Sequence, residues 1–325
     1  MTTTPRPPNF TDVLGARLVV ARHLPRTPLS HYPALSRLAG TRLLVKHENH
    51  QPTGAFKVRG GVNLVSRLTP EERARGVVSA STGNHGQSIA YAAGLFGASA
   101  TIVVPVGANP LKVAAMRDLG AEVVFHGRDF DDAREHCEAL AGERGARYIH
   151  SANEPLLIAG VATASLEIFE DVPEVDTIYV PVGGGSGAAG ACLVARAVSP
   201  RAKVIGVQAE LAPAAYESWR AKELREASTE TEAEGLATRT AFELPQAMLR
   251  EMLDDFVLVT EEEMRRAVYH YAEKAHALAE CAGAAALAAV LKAGDSLAGR
   301  TVAVVLSGGN ATPEQLRRAL SEFGT

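Results

Sequence analysis

A long alternation of strand-like and helix-like runs constrains the fold more than any other feature of this chain. Strand-like stretches fall at 77–80, 100–105, 121–125, 147–150, 177–182, 203–208 and 301–306. Helical stretches at 87–93, 111–119, 131–141 and 188–198 separate many of them. Strands that alternate with helices predict open, mostly parallel sheets with helices on both faces, hence an α/β fold. At 325 residues the chain is long enough for two lobes with sizeable cores. The alanine-rich run 282–291 predicts a buried helix, and the charged section 221–234 predicts a surface helix and loop.

Composition removes several function classes. A net charge of −4 gives no basic field for nucleic acid or an anionic membrane. No apolar run approaches the roughly 20 residues that span a bilayer. The Thr/Pro-rich start, residues 1–10, has no apolar stretch of signal-peptide type. Cys137, Cys192 and Cys281 lie far apart, which predicts reduced thiols in a cytoplasmic protein.

Ligands of open α/β sheets collect at the carboxyl ends of strands, and four loops stand there or beside it. The first reads Pro52-Thr53-Gly54-Ala55-Phe56-Lys57-Val58-Arg59-Gly60-Gly61. A lysine opening a helix feels positive potential, which favours the neutral amine that Schiff-base chemistry requires. Alone, it is equally a solvated surface lysine. The second, Ser81-Thr82-Gly83-Asn84-His85-Gly86-Gln87, offers hydroxyls and N–H groups to an anion, or is an ordinary capped turn. The third, Gly183-Gly184-Gly185-Ser186-Gly187, lets backbone N–H groups approach a phosphate at a helix start. It is not GxGxxG, and the strand 203–208 ends in Gln208 rather than an acid, so one phosphate fits better than a dinucleotide. The fourth, Ser307-Gly308-Gly309-Asn310, is a hydroxyl donor or a simple turn.

His47-Glu48-Asn49-His50 is not HExxH, and on an extended segment its side chains alternate sides, so it predicts no metal site. No GxSxG elbow points to a serine hydrolase.

Together the four loops, in this order, resemble the fold-type II pyridoxal 5′-phosphate enzymes, and within them the threonine/serine dehydratase and serine racemase family. The resemblance runs from about residue 11 to 320. It implies a tryptophan synthase β-like fold of two open, mostly parallel sheets. It implies a large cofactor-binding domain (1–66 and 151–325), a small mobile domain (67–150) and no C-terminal regulatory domain. Lys57 matches the family's Schiff-base lysine and general base. Phe56 matches the aromatic beside the cofactor, and Asn84 the partner of its 3′-oxygen. Gly183, Gly184, Gly185, Ser186 and Gly187 match the phosphate cradle. Ser307 matches the residue facing the pyridine nitrogen, and Glu280 an acid near the cofactor face. Ser81, Thr82 and His85 fall in the loop that holds the substrate. The implied activity is α,β-elimination from an L-threonine- or L-serine-like amino acid, giving a 2-oxo acid and ammonia. Another β-hydroxy amino acid (hydroxyaspartate, phenylserine or a hydroxyectoine product) and racemisation are the alternatives. The implied assembly is a homodimer or homotetramer.

Three departures from the resemblance matter. Racemases of the branch carry serine, and dehydratases alanine, where this chain has Thr82. Relatives that bind a divalent ion have acids where this chain has Gln208 and Ala214, and Glu210 alone is a weak site, so we expect no bound metal. Ala233-Glu234-Gly235-Leu236-Ala237-Thr238 replaces the more usual Ala-Asp-Gly-Ile/Leu-Ala-Val, and should lie near the substrate's side chain.

Overall fold

The computed structural model describes residues 5–128 and 130–324, without the side chain of residue 131. Residues 1–4 of the Thr/Pro-rich start lie outside them. In chain order the strands are β1 (Leu29–His31), β2 (Arg42–His47), β3 (Val77–Ala80), β4 (Ala100–Val104), β5 (Glu122–Phe125), β6 (Arg147–Tyr148), β7 (Thr177–Pro181), β8 (Lys203–Ala209), β9 (Asp255–Val259) and β10 (Thr301–Leu306). They form two sheets. The larger has the order β1-β2-β10-β7-β8-β9, parallel except that β1 runs antiparallel to β2. The smaller, β5-β4-β3-β6, is wholly parallel. The two mostly parallel sheets expected from the alternation are therefore present. Helices cover both faces, which is why β3, β4 and β7 are buried along their whole length rather than at alternate residues.

The alanine-rich run forms the helix Cys281–Ala293, and every residue from Cys281 to Val290 is buried. Small side chains let it lie close against β7 and β10. The approach is so close that a Cβ on Gly283 would run into the backbone of Gly308. This packing fixes the loop that follows β10, and with it Ser307. The loops after β3 and β7 begin at Ser81 and Val182, and the helix Lys57–Val65 follows the loop after β2. All four singled-out loops thus converge on one region.

Two expectations need correction. Section 221–234 contains no helix of its own: the helix Ala214–Ala221 ends at its first residue, because Lys222 turns left-handed at φ 58°. An irregular segment follows, with a bridge between Glu226 and Thr240; it is largely exposed, as expected, and Thr229, Thr231 and Glu234 also border the central cavity. Beyond His47, which ends β2, the segment is not extended either. Residues Glu48–His50 form a 3-10 turn that stacks the rings of His47 and His50 at 4.8 Å. His47 meets the Tyr32 hydroxyl at 2.9 Å.

Among the described residues no helix is long and apolar enough to cross a membrane. All three cysteines are free and buried.

Candidate active site

The four loops enclose a cavity of about 800 Å³, within the range of small-molecule and cofactor sites. The first and fourth loops are joined along their backbones. Phe56 N–H donates to the Ser307 carbonyl at 3.0 Å, Gly309 N–H to the Gly54 carbonyl at 2.9 Å, and Ala55 pairs with Gly308. Gly54 sits at φ 67° against the Asn310 side chain, where a Cβ would collide. Only glycine suits that place.

Lys57 opens the helix Lys57–Val65. Its Nζ lies 3.1 Å from Ser186 Oγ and 3.5 Å from the Ser151 carbonyl. Burial lowers its amine to about 8. Desolvation by burial is the cause. Two residues on, Arg59 is fully buried and fork-bonded to Glu48 (2.7 and 2.8 Å) and Glu167 (2.7 and 2.8 Å). That ion cluster anchors the helix that carries Lys57.

The third loop is built as an anion cradle. Gly185, at φ 90°, caps the helix Ser186–Val198. A Cβ on Gly183 would strike the Gly235 carbonyl, and one on Gly187 would press on the Phe56 ring. Among the described residues the N–H groups of Gly184, Gly185, Ser186 and Gly187 have no acceptor. Unpaired N–H groups at a helix start attract a phosphate.

Ser81, Thr82 and His85 all line the cavity. Ser81 Oγ accepts the N–H groups of Gly83 (3.1 Å) and Gly86 (2.8 Å) and so holds the loop's shape. Ser79 Oγ gives its hydrogen to the Ile149 carbonyl, so it accepts from His85 Nε2 at 2.9 Å. Burial, then Lys57 and His150, keep that imidazole well below its usual range and neutral. With both side chains engaged, the loop presents the N–H groups of Asn84 and His85, at the start of the helix Asn84–Phe96, and the hydroxyl of Thr82.

Asn84, Glu280 and Ser307 also reach the cavity. Asn84 Nδ2 donates to Glu280 Oε1 at 2.6 Å. Burial pushes the Glu280 carboxyl up. Gln208 is fully buried, its Oε1 accepts the Tyr216 N–H at 3.0 Å, and Ala214 opens a helix. Among the described residues no group of three or more His, Cys, Asp or Glu could hold a metal ion. Sequence reasoning missed Lys112, Ser151 and Phe242, which line the cavity as well. Nothing in the neighbourhood of Lys112 signalled this, since its partners are the remote Glu234 and Glu280.

The family signature of the pyridoxal-phosphate dependent enzymes matches residues 20–308. The chain belongs to that family. This pyridoxal-phosphate enzyme is 39% identical over 312 residues to an L-threonine ammonia-lyase of Thermotoga maritima, covering 96% of this chain and 78% of that one. It is 36% identical over 304 residues to an L-threo-3-hydroxyaspartate ammonia-lyase of Saccharomyces cerevisiae, covering 93% of each. Its fold superposes on the processed form of threonine deaminase isoform 2 from Solanum lycopersicum with a TM-score of 0.91 and 28% identity, covering 99% of this chain and 97% of that one. The enzyme is a pyridoxal-phosphate-dependent ammonia-lyase. Its residues fit the cofactor: a cradle of free N–H groups that side chains would fill, and a buried amine of lowered pKa in the same cavity.

Proposed function

We propose that this enzyme converts an L-threonine- or L-serine-like amino acid to a 2-oxo acid and ammonia, with Lys57 as cofactor-bearing lysine and general base. The carrying observation is a Lys57 amine lowered to about 8, inside the cavity and 3.1 Å from Ser186 Oγ of the phosphate cradle. When bound, pyridoxal phosphate draws electrons from the substrate's α-carbon and lets its α-proton leave. Lys57 Nζ takes that proton, since an amine lowered to about 8 has a far larger neutral fraction near neutral pH than an ordinary lysine. The N–H groups of Asn84 and His85 hold the substrate carboxylate. Residues 183–187 hold the cofactor phosphate, and Ser307 offers its ring nitrogen a hydroxyl rather than a carboxylate. Loss of the α-proton and β-hydroxyl leaves an enamine, which water converts to the 2-oxo acid and ammonia.

A second substrate class has its own support. Arg128 and Arg239 both line the cavity, so an anionic β-hydroxy amino acid such as 3-hydroxyaspartate has cations to meet its second carboxylate. Racemisation is less favoured, because Thr82 replaces the serine of racemases with a stiffer, bulkier side chain. A 2-oxo acid assay across L-threonine, L-serine and 3-hydroxyaspartate decides. Turnover of the first two supports the main proposal, turnover of 3-hydroxyaspartate alone supports the second, and no elimination from any of them refutes both.

We also infer that residues 67–150, which contain the smaller sheet, move as a small domain against 1–66 and 151–325. The enzyme is expected to be a cytoplasmic homodimer or homotetramer. Free, buried thiols suit that compartment, and light scattering on the purified enzyme tests the assembly.

A further inference from the structure

Lys112 reaches the cavity from the helix Pro110–Asp118, beside the smaller sheet. It is only 6% exposed. Its Nζ lies 2.6 Å from Glu234 Oε2 and 3.8 Å from Glu280 Oε2. Glu234 opens a 3-10 turn, and Glu280 precedes the buried helix Cys281–Ala293. Both acids belong to the part of the chain that carries the larger sheet, so one cation ties two acids across the cleft. The stem of Lys112 also lies over Gly83, where a Cβ would meet it at 3.2 Å. Glu234 is one methylene longer than the aspartate of the usual pattern, and that reach brings its carboxylate to Lys112.

From Glu280 a directed chain of hydrogen bonds continues. Glu280 Oε1 accepts from Asn84 Nδ2 at 2.6 Å. Asn84 Oδ1 accepts from Asn310 Nδ2 at 2.8 Å, and Asn310 Nδ2 also donates to the Thr53 carbonyl at 2.9 Å. A backbone carbonyl only accepts, so the Asn310 amide has one orientation, and Asn84 inherits its own from both neighbours. An amide NH₂ has two hydrogens. Asn84 gives one to Glu280, and the same two neighbours aim the second.

We propose that Lys112 is a positioning residue. It keeps Glu280 an ionised acceptor, and thereby holds Asn84 in the orientation that offers a hydrogen to the cofactor's 3′-oxygen. The inference rests on Lys57 and Asn84 serving the cofactor as described. The electrostatics support it. Burial raises the Glu280 carboxyl, and Lys112 is the strongest influence against that rise, while Glu234 adds to it. Cys281, the next residue, is itself pushed up to about 12 by burial and stays a neutral thiol. Lys112 is thus the one cation facing Glu280 among the described residues. Without it a protonated Glu280 becomes a donor. That favours an Asn84 turned over, with oxygen facing the cofactor's oxygen.

The test is equilibrium binding of pyridoxal phosphate to the apo forms of wild type, Lys112→Met, Glu280→Gln and the double variant, followed by dialysis and visible absorbance. Lys112→Met should bind about tenfold more weakly at neutral pH, as for a lost hydrogen bond to a charged group. Its deficit relative to wild type should narrow as the pH rises and Glu280 ionises again. Adding Glu280→Gln should bring affinity back to within about threefold of wild type, because the glutamine carbonyl accepts from Asn84 at any pH. A deficit that ignores pH and is not relieved by Glu280→Gln would mean that Lys112 acts only by packing over Gly83, and would overturn the proposal. So would unchanged affinity. If Lys112→Met unfolds, Lys112→Gln carries the same comparison. A Lys57→Ala protein that kept the visible band would instead unseat the assignment of Lys57, a separate failure.

Discussion

Lys57 and Arg59 are cations two residues apart on one helix, both enclosed by protein, and their fates are opposite. Arg59 is fully buried, and burial opposes its charge, but Glu48 and Glu167 outweigh that cost and hold the guanidinium above its usual range. Lys57 has no acid within ion-pair distance among the described residues, only a hydroxyl and a carbonyl, and its amine falls to about 8. Burial alone therefore does not make a residue chemical or structural. The partner set decides. A saturated cation serves as an anchor, and an unsaturated one is left able to react.

The comparison predicts different kinds of loss. Lys57→Ala should lower turnover by at least about a thousandfold and remove the visible absorbance of the lysine-bound cofactor. A variant retaining both, measured by absorbance scan and 2-oxo acid release, would refute the assigned role. Arg59→Met should instead act on stability. It leaves Glu48 and much of Glu167 buried without their main counter-charge, which costs about 3–5 kcal/mol. Urea unfolding of the apo protein should show that loss, while the folded fraction still binds cofactor.

A sharper version replaces the unsaturated cation with an apolar group. Lys57→Met should raise apo stability by about 2 kcal/mol at neutral pH, because an unpaired buried amine is removed. The sign follows from linkage. Between about 8 and the ordinary 10.5 the unfolded lysine binds more protons than the folded one, so wild-type stability rises through that window. The advantage of Lys57→Met should therefore shrink as pH climbs from 8 towards 10.5. An advantage that is constant across that window would show that packing, not charge, produced it.

The same partner logic explains what could be read from the sequence. The strands β3, β4, β7, β8 and β10 were legible because their runs are apolar and β-branched, and such runs need no distant partner to be buried; β5 and β6, read as well, are only half-buried or exposed. Lys57 was legible from its loop, although its lowered amine comes from burial that no local pattern reports. Strand β2 was not legible. Its run Arg42–His47 ends in Lys46 and His47, which mark a surface strand by composition. Both are fully buried, because Lys46 donates to Glu167 and to the Thr27 carbonyl, and His47 meets Tyr32. Glu167 lies 121 residues away. Lys112 was hidden for the same reason, its partners being Glu234 and Glu280. Side chains whose burial depends on remote charge partners carry no signature in their own neighbourhood.

The smallest expected effect isolates the one hydrogen bond that Lys57 Nζ makes to another side chain among the described residues. Unphosphorylated pyridoxal needs no phosphate cradle, so its borohydride-trapped coupling to apo enzyme reports the amine alone. In wild type the coupling rate should rise with pH and level off above about 8, since only the neutral amine attacks. Ser186 Oγ, at 3.1 Å, accepts from the ammonium and steadies its charged form. Ser186→Ala removes that acceptor and leaves the desolvation unchanged. One hydrogen bond of modest net strength corresponds to about half a pH unit, so the midpoint should move down by that amount. An upward movement would mean that Ser186 donates to a neutral amine instead, which would make Lys57 more strongly desolvated and still less like Arg59.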